Sequence, residues 1–162
     1  MFHLFTHAFF KALLFLSAGV IVHSLNDEQD IRKMGNNLFT KLLGIFICFI
    51  VGNTALVGLP PYSGFYSKEL IIENTFIHNT SISLFAYLLC TFSTLLTAYY
   101  SARLTFYVFF APTKARFFQI KEPKLVLYLL SIFFPFSAFI GLISFDLFFS
   151  FNKSFFTINH TF

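Results

Sequence analysis

Three titratable residues recur at a fixed interval near the start of this sequence: His3, His7 and Lys11, at i, i+4 and i+8. On a helix that spacing puts them along one slowly drifting stripe about 12 Å long, at ~1.5 Å per residue. A lysine held away from water can give up its proton near neutral pH, and neighbouring imidazoles can take it and pass it on. The row therefore has the chemistry of a proton relay. The plainer alternative is that His3 and Lys11 sit near helix ends and extend to the membrane interface. For His3 that alternative stays open, whereas Lys11 precedes an uncharged run to Val22, which favours the relay.

A second constellation reads Leu59-Pro60-Pro61-Tyr62-Ser63-Gly64-Phe65-Tyr66-Ser67-Lys68-Glu69. Two prolines remove backbone donors and stop a helix, and Gly64 lets the chain turn. A helix broken at membrane depth exposes free backbone ends where ions are handled. Lys68 falls just after the break, Glu69 beside it, and Glu73 lies four residues on. On the residues alone, an ion-handling break and a simple helix end followed by a solvated loop fit equally well. Thr94, Thr97 and Ser101 share a face of a later helix and read as packing contacts, with Tyr100, Arg103 and Tyr107 in an adjacent row. There is no phosphate-binding glycine loop, metal-ligand spacing or nucleophile motif, so any redox chemistry lies elsewhere.

The elements that must carry these residues follow from composition. Of the 162 residues, 57% are hydrophobic and only 11% charged, well below the ~25% charge of soluble domains. The net charge of +4 is too dilute, and too interrupted by apolar segments, for a nucleic-acid partner; lipid or other membrane helices are the partners it implies. Cys48 and Cys90 lie in apolar runs and read as small hydrophobes. Apolar windows near the ~20 residues needed to cross a bilayer predict helices over 2–23, 42–59 continuing as 65–77 after the break, 81–110, and 125–148 with Pro135 inside. A short surface helix is predicted over 27–34, with Asp27 as its cap, Glu28 and Asp30 in its first turn, and Arg32 and Lys33 in its last. Arg32, Lys33, Lys41, Lys114, Arg116, Lys121 and Lys124 fall in the two loops on one side, and the turn near His78 has no basic residue besides it. The two basic loops are therefore assigned to the cytoplasm or mitochondrial matrix. The run 114–118 mixes basic and aromatic residues and suits an interfacial anchor.

Three blocks carry a resemblance: 6–16 (THAFFKALLFL), 28–35 (EQDIRKMG) and 64–69 (GFYSKE). In this order and spacing the sequence resembles the chain 5 family of NADH-ubiquinone oxidoreductase, the distal antiporter-like membrane subunit of respiratory complex I. Related cation/proton antiporter subunits share the first and third blocks. The resemblance implies an all-α membrane protein with four transmembrane helices, the second discontinuous, forming the C-terminal part of the antiporter-like fold. It implies that Lys68, Lys11, His7, His3 and Glu69 take part in proton transfer through a C-terminal half-channel. It also implies no cofactor in this chain, with NADH, FMN, iron–sulfur clusters and ubiquinone in the parent complex. The expected location is the mitochondrial inner membrane. The earlier membrane helices and the long lateral helix of the family have no counterpart here, and Asn36 replaces the usual second glycine of Met-Gly-Gly. The expectation is one piece of a split or truncated chain. Its partners would be other membrane-arm subunits, a separate chain supplying the N-terminal part, and another supplying the lateral helix. A subunit of a cation/proton exchanger, or a brace that no longer pumps, are the competing expectations.

Overall fold

Apolar spacing sets the first helix. In the computed structural model, which describes residues 2–35, 38–77, 80–112 and 124–159, α1 runs Phe2–Ser24. Its buried positions Thr6, Phe10, Leu13, Ser17, Val20 and Ile21 recur every three or four residues, so they form one face. That face packs against α3 (Leu43–Val57) and α6 (Lys124–Asn159). Hydroxyls on it are satisfied inside the helix: Thr6 donates to the His3 carbonyl at 3.1 Å and Ser17 to that of Leu14 at 2.8 Å.

The chain enters the second apolar stretch through one extra turn, α2 (Leu38–Lys41), before α3. After α3 come α4 (Ser63–Ile77) and α5 (Ser81–Thr105), whose path continues as a π-helical turn over Phe106–Phe110. The Ala111 N–H donates to the Phe106 carbonyl at 2.9 Å, the i to i+5 bond of that turn. A reciprocal cap starts α5: Ser83 N–H donates to Thr80 Oγ1 at 3.1 Å, and Thr80 N–H donates to Ser83 Oγ at 2.9 Å.

The core is a layer of α1, α3 and α6 with Leu13, Ile45, Phe49 and Leu130 inside, extended by Val108 and Phe109 at the end of α5. Phenyl rings pack within and around it. Phe109 meets Phe46 edge-on at 4.9 Å between centroids and Phe49 at 5.4 Å, and Phe9 stacks on Phe136 at 5.5 Å. Among the described residues, Phe2–Ser24 and Ser81–Phe110 are long and apolar enough to cross a membrane; Leu43–Val57 and Val126–Gly141 are shorter apolar helices. The 15 residues of α3 rise only about 22 Å, short of a ~30 Å hydrocarbon layer.

Residues 27–34, where charge placement predicts a helix, form turns and irregular chain instead. Asn26 and Asp27 have φ of 57° and 62°, so Asp27 cannot take the extended conformation of an N-cap. The charges pair among themselves: Lys33 Nζ lies 3.0 Å from Glu28 Oε2, and the Asp30 carboxylate accepts from the Arg32 N–H at 3.0 Å. The last helix extends to Asn159, beyond the predicted end at 148, and continues through Pro135. The basic run 114–118 and the turn at His78 lie outside the described residues.

Candidate functional site at the broken helix

The break between α3 and α4 is written locally. Gly58, at φ 88°, ends α3 in the left-handed conformation that costs glycine little. The N–H groups of Gly58 and Leu59 both donate to the Thr54 carbonyl, at 3.0 and 3.1 Å. Pro60 and Pro61 bring no further N–H, so the carbonyls of Leu56 and Val57 lie past the last backbone donor. Two turn bonds, Tyr62 N–H to the Leu59 carbonyl and Phe65 N–H to the Tyr62 carbonyl, each 3.0 Å, bring the chain back into helix.

The side chain of Lys68 fills that deficit. Its ammonium donates to the Leu56 carbonyl, and to the Val57 carbonyl at 3.4 Å, across the break. A cation there also meets the negative end of the α3 dipole.

The first two turns of α4 are held by three helices at once. Ser63 Oγ donates to the Ser137 carbonyl of α6 at 2.6 Å. Gly64 lies so close to α3 that an added Cβ would stand 1.7 Å from the Ala55 carbonyl oxygen. Ser67 Oγ lies 2.9 Å from His3 Nδ1 of α1 and also reaches the Gly64 carbonyl at 3.4 Å. All three residues are buried.

Between α4 and α5 opens a cavity of about 640 Å³, whose polar lining includes Lys68, Glu69, Glu73, Tyr87 and Thr94. It is polar and roomy enough for water. The hydroxyl of Thr94 donates to the Thr91 carbonyl at 2.7 Å, yet its oxygen keeps accepting capacity toward the cavity. Spacing on α5 alone marks Thr94 as packing; with α4 in place it also lines this cavity. Thr97 and Ser101 bond back into their own helix, at 2.8 and 2.9 Å.

Of the residues singled out by spacing, His3 and His7 are half-buried beside α4, with ring centroids 5.7 Å apart. Lys11 itself is exposed, its ammonium 5.5 Å from the centroid of Phe15. Each i to i+4 step turns the helix about 40° past a full revolution, so the row leaves the packed face by its third member. Glu69 is exposed at the cavity, and among the described residues it makes no ion pair with Lys68. Ser63, Gly64 and Ser67 were legible only as part of the motif, because their roles depend on partners 64 or more residues away, or on backbone across the break. The described residues contain no group of three or more His, Cys, Asp or Glu able to hold a metal ion.

An interrupted apolar helix whose free carbonyls meet a lysine, flanked by titratable groups on a neighbouring helix, is the device of membrane proteins that handle ions away from water. The chain belongs to the family described as NADH:quinone oxidoreductase/Mrp antiporter, TM, which it matches over residues 1–97. It is 41% identical over 160 residues to NADH-ubiquinone oxidoreductase chain 5 of Acanthamoeba castellanii, an alignment covering 96% of this chain and 23% of that protein. The protein of the same name from Phytophthora infestans is 48% identical over 115 residues, 71% of this chain and 17% of the relative. That of Patiria pectinifera is 54% identical over 110 residues, 67% and 16%. The chain therefore spans less than a quarter of the length of these curated relatives.

Proposed function

We propose that this chain forms part of the proton-translocating membrane arm of respiratory complex I and supplies the C-terminal half-channel of its chain 5. In this reading α1, α3 with α4, α5 and α6 make four membrane spans, the second one discontinuous, in the mitochondrial inner membrane. Protons pass along His7 and His3 to Lys68, with Lys11 as their source and Glu69 on the outward side. The electron carriers of the parent complex, NADH, FMN, iron–sulfur clusters and ubiquinone, belong to other subunits, and the remainder of chain 5 packs against this segment. The observation that carries the reading is the Lys68 ammonium bound to the free carbonyls of Leu56 and Val57 at the mouth of a polar cavity. That lysine can exchange a proton with water on one side while the histidine row approaches from the other.

Replacing Lys68 with Ala should lower NADH-driven proton pumping in the assembled complex. An unchanged proton-to-electron stoichiometry would overturn the reading. A second reading, a cation/proton exchanger subunit, is equally within the family description, which spans both classes. Co-purification with flavin and iron–sulfur subunits supports complex I, and cation-driven proton exchange without them supports the exchanger.

A further inference from the structure

The histidine row does not meet Lys68 directly; the residue that touches it is Ser67. Its oxygen lies 2.9 Å from His3 Nδ1, it is 1% exposed, and it precedes Lys68 by one position on α4. Neighbouring residues on a helix point about 100° apart, so Lys68 reaches across to α3 while Ser67 reaches α1. A serine has a single hydrogen to give. Helical hydroxyls in this chain give it to the carbonyl one turn back, as Ser17 does to Leu14 at 2.8 Å and Ser101 to Ala98 at 2.9 Å. For Ser67 that carbonyl, of Gly64, stands 3.4 Å away, beyond the usual O–H···O distance, while the ring nitrogen of His3 is at 2.9 Å. The hydroxyl is therefore engaged mainly with the imidazole rather than with its own helix.

We propose that Ser67 is the positioning residue of the histidine row: its hydroxyl holds the His3 ring at Nδ1, against the turn of α4 that carries Lys68. The inference rests on the proton-transfer reading above and adds a residue to it. A protonated ring donates Nδ1–H to the serine oxygen, and a neutral ring either donates there or accepts the hydroxyl hydrogen, so the 2.9 Å contact holds the ring in both states. The arrangement keeps the imidazole oriented as it gains and loses a proton, which is what a relay residue needs.

The test is the rate of NADH-driven proton translocation per assembled complex in Ser67→Ala, Ser67→Thr, His3→Ala and the Ser67→Ala/His3→Ala double variant. Loss of one oriented hydrogen bond should slow Ser67→Ala by roughly fivefold. Ser67→Thr, which keeps the hydroxyl, should recover most of the rate. In the His3→Ala background the serine substitution should add nothing, because its effect runs through that ring. Wild-type pumping by Ser67→Ala, an undiminished Ser67→Ala effect on top of His3→Ala, or failure of both serine variants to assemble would each overturn the proposal. Normal pumping by Lys68→Ala removes the underlying reading instead; impaired Lys68→Ala with normal Ser67→Ala removes only the positioning role.

Discussion

Lys68 and Leu56 are joined across the interruption of the second apolar stretch: the ammonium of one donates to the main-chain oxygen of the other, twelve residues back. The contact ties α4 to the unfinished end of α3, so the group proposed to move protons also holds the junction together. Substitution at Lys68 therefore carries two separable consequences.

The structural one is a loss of heat resistance. Lys68→Met keeps the aliphatic stem but leaves the Leu56 and Val57 carbonyls without their donor. Forgoing a charge-assisted bond of this kind costs ~1.5–3 kcal/mol. We expect assembled complex carrying the variant to lose this subunit at a lower temperature than wild type, read by native electrophoresis after graded heating. An identical dissociation profile would show that water satisfies those carbonyls.

Gly64 and Gly19 should separate sharply. An alanine Cβ at 64 would overlap the Ala55 carbonyl oxygen at 1.7 Å, whereas at 19 nothing lies within 4 Å. We expect Gly64→Ala to abolish accumulation of the assembled complex. Gly19→Ala should be accepted, with a helix-propensity gain of up to ~1 kcal/mol. Immunoblots of membranes carrying each variant decide the matter, and normal assembly with Gly64→Ala would contradict the close approach of α4 to α3.

Ser63→Ala removes the bond to the Ser137 carbonyl and nothing larger. The expected cost is about 1 kcal/mol, the typical net contribution of one neutral hydrogen bond. A modest drop in thermal stability with pumping retained fits that geometry. Complete loss of pumping would give Ser63 a part in proton transfer.

Leu13→Ala opens a void in the middle of the α1, α3 and α6 layer, where Leu13 is fully buried. Truncations of this kind cost ~2–5 kcal/mol. Glu28→Gln, by contrast, only loosens a pair with Lys33 that is largely at the surface, worth under ~1 kcal/mol. The two variants should therefore bracket the stability range, and a Glu28→Gln effect as large as that of Leu13→Ala would mean the 25–35 turns hold more of the structure than their exposure suggests.

Much of this was legible in the sequence because its signals are local. Pro60 and Pro61 in succession withdraw two backbone donors at once, which ends a helix where a single Pro135 does not, and a charge-free window such as 81–102 favours a helix wherever lipid replaces water. The Gly58 ending and the destination of the Lys68 side chain were not legible, since they require knowing which carbonyls the turn leaves open. The 27–34 helix failed for a related reason. Its charge order suits a helix dipole, but left-handed Asn26 and Asp27 redirect the backbone before the pattern can act. Lys11 shows the limit of periodicity: an i, i+4, i+8 row looks continuous on paper, yet accumulated drift leaves its last member outside the packing that shelters the first two.

Along α5, Thr91, Ser93, Thr94, Thr97 and Ser101 all turn their hydroxyls onto carbonyls three residues earlier. Letter by letter the segment looks half polar, but its circumference offers hydrocarbon, with Ile82 and Leu95 standing outermost. Such a rod gives its surroundings few directional footholds. An oriented side-chain bond, Asn53 Nδ2 donating to Thr105 Oγ1 at 3.1 Å, ties its far end to α3, whereas the near turns of α4 are pinned to α1, α3 and α6, so the two walls of the cavity are anchored at opposite ends of their helices, α4 by its first turns and α5 by its last.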